Sequence, residues 1–542
     1  MTATASPPAA SGRTLMGHPL GLYICFFTEL WERFSFYGMK ALLLFYVTKY
    51  HLFTDADGYL LLGTYAGLAY ALPVLGGMLA DRYLGMRKAV LFGGILLCLG
   101  HFGMAYEGAA ARMVDGQVVR DTLALQVFYA SLAFIIMGVG FLKPNISTIV
   151  GRLYPAEDPR RDSGFTLFYM GINVGAGLSA FVCGYLGETY GWGYGFGAAG
   201  VGMVLGLLVF WWGQAHLLGQ AEPKDPALLK QKLFAGLSRE AVIYASAVAG
   251  TAVIWQVLQT RFDFSAIGAL LGMGAGHEIT ATEVVAVVLT GVLAVWLTRF
   301  LLRDCSREER GRMGVLLVLI AVSVVFWGLY EQSYGTWNAY SDRVMNRTFF
   351  GWEPTASQLT SVPAVFIIVL SPLFAMLWPA LDRAKLNPST AGKFGLGLVF
   401  AGLSMFILAW SATHPEANGK AGLGWFVFAY LVLVLGEMVL SPVGLSAVTT
   451  LSVPRVVSLM MGVWFLASAF GEMLAGRFGT LAAMEANTPI PEALAKYAEV
   501  FQLLGWVGAA TGVGLLVITP LLKRLENANP AAQKNAASGT AH

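Results

Sequence analysis

Residues 20–48 read LGLYICFFTELWERFSFYGMKALLLFYVT. Two apolar flanks enclose Glu29, Glu32, Arg33 and Lys40, with Phe36 and Tyr37 among them. The run is long enough to cross a bilayer, which takes roughly 20 mostly apolar residues. At about 100° per residue, these six side chains fall within an arc of roughly 140°. A lone charge at the bilayer centre costs at least ~2.5–3.5 kcal/mol. Four charges on one face are tolerable where that face lines water or meets partners. The alternative is an i,i+4 ladder of ion pairs that holds helices together.

The rest of the chain sets this stretch in a membrane. Of 542 residues, 56% are hydrophobic and only 12% charged, and mean hydropathy is +0.64. A soluble domain carries about 25% charged residues, so the polar surface is too small to coat a water-soluble protein. Disorder, a coiled coil and a disulfide scaffold are excluded by the same figures. A net charge of +3 leaves no nucleic-acid footprint. Cys25, Cys98, Cys183 and Cys305 are far apart and form no CxxC pair; they read as thiols, with no metal site or cofactor expected.

Further apolar runs follow near 59–82, 88–106, 124–150, 164–188 and 194–214. A second set lies near 313–336, 359–380, 394–413, 423–446, 457–480 and 499–522, and two extra runs fall between, near 241–260 and 283–302. With the N-terminus inside, cytoplasmic loops hold roughly three times as many Lys and Arg as outer loops, as the positive-inside rule requires. The expected fold is an all-α integral membrane protein of 14 spans, both termini cytoplasmic. Its organisation reads as a flexible tail over 1–19, a six-helix bundle over 20–214, a linker with two extra transmembrane helices over 215–312, a second bundle over 313–523 and a tail over 524–542. Such a pattern suits a two-bundle transporter with its site near the midplane between halves. The 64 glycines fit close helix packing.

Other charges and breakers interrupt the spans. The fourth ends Gly140-Phe141-Leu142-Lys143-Pro144-Asn145, where proline is expected to kink the helix and free a carbonyl. Lys143 could also reach the interface by snorkelling. Glu331 and Glu437 sit in apolar runs of the seventh and tenth spans, and Glu472 in the eleventh. The deep set is Glu29, Glu32, Glu331, Glu437 and Glu472 against Arg33, Lys40 and Lys143, with acids in excess. An unpaired carboxylate in low dielectric takes up a proton, so the set supplies candidate proton carriers and suggests proton-coupled transport.

The loop Gly76-Gly77-Met78-Leu79-Ala80-Asp81-Arg82-Tyr83-Leu84-Gly85-Met86-Arg87-Lys88 resembles the signature loop of the major facilitator superfamily. Glu29-Leu30-Trp31-Glu32-Arg33-Phe34-Ser35-Phe36-Tyr37-Gly38 resembles the ExxERFxYYG motif of the proton-dependent oligopeptide transporter family, and Phe168 to Gly175 its FYxxINxG motif. The GFLKPN, FW…EQ and GEMxxSPVGLS segments and the WFL run match in the same order, over residues 20–523.

The resemblance implies the major facilitator fold, with the two extra helices of the bacterial members. It implies uptake of di- and tripeptides with protons across the bacterial inner membrane, with no obligatory oligomer. It assigns the peptide carboxylate to Arg33 and Lys143, the amino end to Glu437 and Asn173, and protonation to Glu331, Glu29 and Glu32. Tyr37, Tyr70, Trp464, Phe465 and Ser468 match further pocket positions. Opposite charges spread over two bundles also suit a zwitterion, independently of the resemblance.

Three positions depart from the family pattern. Phe36 replaces a tyrosine, Pro363 stands where an asparagine is usual, and Gly63 where animal members carry a histidine. The two former put side-chain preference and peptide length in question. A non-peptide anion such as nitrate is the alternative substrate, and drug export a further rival within the superfamily. No HExxH, paired metal ligands or serine elbow points to an enzyme.

Overall fold

The structure, a computed structural model, describes residues 13–155, 158, 160–233, 236–263 and 278–526. The expected tails, through residue 12 and beyond residue 526, lie outside the described residues. Fourteen long helices follow one another among those residues. They are α1 (Leu20–Phe45), α2 (Asp55–Leu79), α3 (Met86–Met104), α4 (Thr122–Arg152), α5 (Arg161–Tyr190), α6 (Trp192–Gly213) and α7 (Arg239–Gln259). Then come α8 (Ala281–Asp304), α9 (Arg307–Tyr330), α10 (Val362–Arg383), α11 (Thr390–Thr413), α12 (Leu423–Leu451), α13 (Val457–Thr480) and α14 (Ile490–Glu526). Thirteen are long and apolar enough to span a membrane. The remaining one, α1, is 26 residues long and carries the charged stretch.

Strands are short and sit at the helix ends. β1 (Thr14–Leu15) pairs antiparallel with β2 (His18–Pro19), β3 (Arg112–Val114) with β4 (Gln117–Val119), and β5 (Arg261–Asp263) with β6 (Glu278–Thr280). β7 (Met345–Asn346) pairs parallel with β8 (Ala421–Gly422). Asp115 and Gly116 turn the β3–β4 hairpin with φ of 51° and 79°, the left-handed pair that a two-residue turn requires.

The chain forms two compact units. The first comprises Met1–Leu52, Ala71–Gln259 and Ser357–Ile368; the second Phe53–Tyr70, Thr260–Ala356 and Val369–His542. Helices α2 and α10 are each divided between them. Pro73 lies inside α2 just past its division, and Pro372 and Pro379 lie inside α10 past its own. Prolines there remove helical hydrogen bonds near the points of division.

Within the first unit, α1 packs on α5 and α6, and α3 on α4. Backbones touch at glycines. A Cβ on Gly76 of α2 would lie 2.0 Å from the Gly140 carbonyl. That carbonyl is the one Pro144 leaves without its helical donor. α4 is helical on both sides of Pro144, and the carbonyl that the proline leaves bare is covered by a neighbouring helix. In the second unit α11 packs on α14 and α12, and α9 on α13.

The two inserted helices dock on different units. On α7, Glu240 takes Lys88 of α3 at 2.6 and 2.7 Å, and Gln259 pairs with Gln126 of α4 at 3.0 Å. On α8, Glu283 takes Arg477 of α13 at 2.5 and 2.6 Å while also capping its own helix at Thr280. Most of the remainder of α8 is exposed, with Leu297 buried.

Candidate functional site

Helix α1 gathers the charges of the first unit. Arg33 Nε lies 2.8 Å from Glu29 Oε1 and 2.5 Å from Glu32 Oε2, and its guanidinium lies 5.7 Å from the centre of the Phe36 ring. Glu29, Glu32, Arg33 and Lys40 are all buried. Lys143, half-buried on α4, acts electrostatically on Glu32. Glu29 Oε2 and Glu32 Oε1 have no hydrogen-bond partner among the described residues, and such buried oxygens cost about 1–3 kcal/mol each. An ion-pair ladder does form, through Glu29 and Arg33. It is embedded in a cluster that recruits a cation from a second helix, more than an isolated strut would need.

The second motif brings α5 to this cluster. A Cβ on Gly175 would lie 2.3 Å from the Leu30 carbonyl and 3.1 Å from Arg33 Cβ. Only glycine lets α5 approach there. Asn173, two residues earlier, is buried, and its Nδ2 donates to the Tyr169 carbonyl at 3.0 Å. Tyr37 is half-buried, edge-to-face with Phe36 at 5.3 Å.

In the second unit, Glu331 does not sit within a continuous helix, as its apolar surroundings lead one to expect. α9 ends at Tyr330, Glu331–Ser333 forms a 3-10 turn, and a short helix follows at Thr336–Arg343. Gln332 holds this break. Its Nε2 donates to the carbonyls of Gly328 and Ala475, both at 3.0 Å, and its Oε1 accepts from Thr336 Oγ1 at 2.9 Å. Tyr330 faces both Glu331 and Glu437. Both glutamates are buried, and Glu437 Oε2 has no hydrogen-bond partner among the described residues.

The remaining expected residues differ in character. Trp464 is buried over Gly444, where a Cβ would meet its ring at 2.2 Å, and lies edge-to-face with Phe394 at 6.1 Å. Its neighbour Phe465 is 44% exposed, so the two rings serve different surroundings. Ser468 and Tyr70 are half-buried. Tyr37, Lys143 and Asn173 thus belong to the unit that holds Glu29, Glu32 and Arg33. Tyr70, Trp464, Phe465 and Ser468 belong to the one that holds Glu331 and Glu437.

Gly63 has a steric reason for its departure from histidine. Its Cβ would lie 2.8 Å from the Glu472 carbonyl and 3.0 Å from Gly476 Cα. Glu472 itself is buried on α13. Pro363 is the second residue of α10, where a missing N–H costs little.

Sequence reasoning passed over three groups. Tyr330 sits beside Glu331 and was legible only as an aromatic in an apolar run. Asp55 and Arg343 form a two-pronged pair at 2.5 and 2.6 Å in the second unit. No spacing signals that pair, because its members lie 288 residues apart.

A bundle-forming membrane protein with buried charge clusters on its helices is the class that this geometry defines. The profile of the POT family matches residues 87–499, and the chain belongs to that family. It is 34% identical to an uncharacterized transporter of Bacillus subtilis, YclF, over 94% of this chain and 95% of that one. It is 32% identical to the peptide transporter YePEPT of Yersinia enterocolitica, over 97% and 98%. A di-/tripeptide transporter of Lactococcus lactis is also 32% identical, over 94% and 97%. Among solved structures, a peptide transporter POT in complex with sulfate is 34% identical, with a TM-score of 0.77, over 95% of this chain and 98% of that one.

Proposed function

We propose that this chain imports di- and tripeptides together with protons by alternating access. The observation that carries the reading is the cluster of buried Glu29, Glu32 and Arg33 with half-buried Lys143 in a member of the POT family. A peptide has an ammonium and a carboxylate end, and a buried guanidinium is suited to the latter. Arg33 and Lys143 receive the carboxylate. Glu437, whose Oε2 lacks a hydrogen-bond partner among the described residues, and Asn173 receive the amino end. Tyr37, Tyr70, Trp464, Phe465 and Ser468 line the path of the peptide.

The proton enters through competition for Arg33. Two carboxylates share its Nε. Protonating Glu29 or Glu32 removes one of the two claims, and the guanidinium turns to the peptide. Glu331, at the helix break, is the second proton carrier. Its position beside Tyr330 and the Gln332 anchor allows a change of charge to act on the packing of α9 and α13. One charge moving through 100 mV supplies ~2.3 kcal/mol, enough for roughly 50-fold accumulation. Nitrate is not favoured, because the named relatives are peptide transporters.

The test is uptake of labelled dialanine into liposomes, with and without an inward proton gradient and a negative potential. Uphill, gradient-dependent uptake supports the reading. Absence of uptake by folded protein overturns it and directs attention to Phe36 and Pro363. We place both termini on the cytoplasmic side of a bacterial inner membrane, from the loop charges. A cysteine added to either terminus should label in inside-out vesicles and not in intact cells.

A further inference from the structure

The junction of α8 and α9 is unusually rich in arginine. Residues 299–312 read RFLLRDCSREERGR, with five arginines and three acidic residues. Two basic groups are spent on structure. Arg310 donates to the carbonyls of Cys305 at 3.1 Å and Leu302 at 2.9 Å. Arg455, from the turn before α13, donates to the Asp304 carbonyl at 2.8 Å, approaches Glu309 at 3.6 Å and lies 5.6 Å from the centre of the Phe300 ring. These contacts hold the end of α8 against the start of α9.

The side chains of Arg299, Arg303, Arg307 and Arg312 have no ion-pair or hydrogen-bond partner among the described residues. The first three are exposed and Arg312 is half-buried. Arg299 and Arg303 are four residues apart, so they share one face of α8. That helix is apolar and exposed along most of its length, with Val288, Val292, Val295 and Trp296 all open. Trp296 stacks on Phe300 at 5.3 Å just before the arginines. An open apolar stem, an aromatic step and then unpaired guanidiniums is the sequence of environments of a lipid: chains, interface, headgroup.

We propose that this junction is a binding site for anionic phospholipid headgroups. The acyl chains lie along the open face of α8, and Arg299, Arg303 and Arg307 hold the phosphate, with guanidinium geometry matched to its oxygens. The inference rests on the cytoplasmic placement of this end and not on peptide transport. It gives the exposed inserted helix a role: its end is pinned to α9 and α13 by Arg310 and Arg455, and the lipid covers the side that protein does not.

The test purifies the full chain from membranes and washes it in detergent. Retained lipid is then quantified by mass spectrometry after incubation with phosphatidylglycerol or phosphatidylcholine. The parent should retain at least roughly threefold more phosphatidylglycerol than R299Q/R303Q/R307Q, with no difference for phosphatidylcholine. R299K/R303K/R307K should retain an intermediate amount. Gel filtration and thermal unfolding in detergent establish that the variants are folded. Equal phosphatidylglycerol retention by the folded glutamine variant overturns the site. Displacement of the lipid by millimolar inorganic phosphate would mark a soluble-anion site and overturn the lipid assignment. Failure of peptide uptake by the parent would leave these outcomes unaffected.

Discussion

The charged groups of the two units are built on opposite plans. In the first, about three turns of one helix carry both signs, and Arg33 is claimed by two carboxylates of its own helix. In the second, Glu331 and Glu437 come from different helices, meet around Tyr330, and are set by a helix break that Gln332 anchors. A cluster made within one helix is fixed by local geometry and changes by exchange of partners. A cluster made between helices at a break depends on how those helices pack, and can pass a change of charge into movement. In the proposed mechanism, protonation in the first unit acts by exchange of the partners of Arg33, and protonation at Glu331 in the second acts through the packing of helices.

The largest expected effect breaks the first cluster. Arg33→Ala leaves Glu29 and Glu32 buried without their shared cation, at a cost of about 3–5 kcal/mol. Thermal unfolding in detergent should show a loss of many degrees, with uptake abolished. Arg33→Lys should recover much of the stability but less of the uptake, since an ammonium lacks the planar fork that matches a carboxylate. Stability unchanged in the alanine variant would show that the cluster is not self-contained.

Glu331→Gln attacks the second plan. It should remove proton-driven accumulation, the whole of the roughly 50-fold term, while sparing peptide exchange across liposomes without a gradient. Full proton-driven uptake by this variant would sink the assignment of coupling to the second unit. Gly63→Ala probes packing in that unit, because its Cβ would meet the Glu472 carbonyl at 2.8 Å. A destabilisation of about 1–3 kcal/mol is expected, and a histidine should not be tolerated. Glu437→Gln should weaken binding of free dipeptides about tenfold, as loss of one charge-assisted hydrogen bond does. N-acetylated dipeptides should bind alike to both proteins, and a parallel loss for them would refute the amino-end role.

The smallest effect lies outside the spans. Asp121 caps α4, and the amides of Ala124 and Ala109 hold its carboxyl below its ordinary pKa. Its folded pKa is the lower one, so its contribution is present at neutral pH and lost as pH falls through that value. Asp121→Asn keeps a capping acceptor, and should flatten this acid-side slope in thermal unfolding with little change at pH 7.

Much of this was legible because a bilayer enforces simple rules. Apolar runs had to become helices, since no water satisfies their backbone, and the two inserted runs followed suit. The charged face of α1 could be read from spacing, because ion pairs within a turn or two are local. Other features were not local. Pro144 reads as a kink that frees a carbonyl, but the group that covers this carbonyl, Gly76 of another helix, is not written near it. Glu331 reads as mid-helix, yet lies at a turn whose anchor, the Ala475 carbonyl, is 143 residues from Gln332. Gly63 reads as a missing histidine, and is a steric requirement of α13.

Hydropathy and loop charge alone therefore determined the number and kind of the elements and the charges of the first cluster, because burial in lipid and helical periodicity act along the chain. Tertiary structure decided where helices break, which glycines are indispensable, and that α2, α10 and the inserted pair are shared out between two units. Those outcomes depend on which carbonyl or methyl group a distant helix presents, and that is written in no single stretch of the chain.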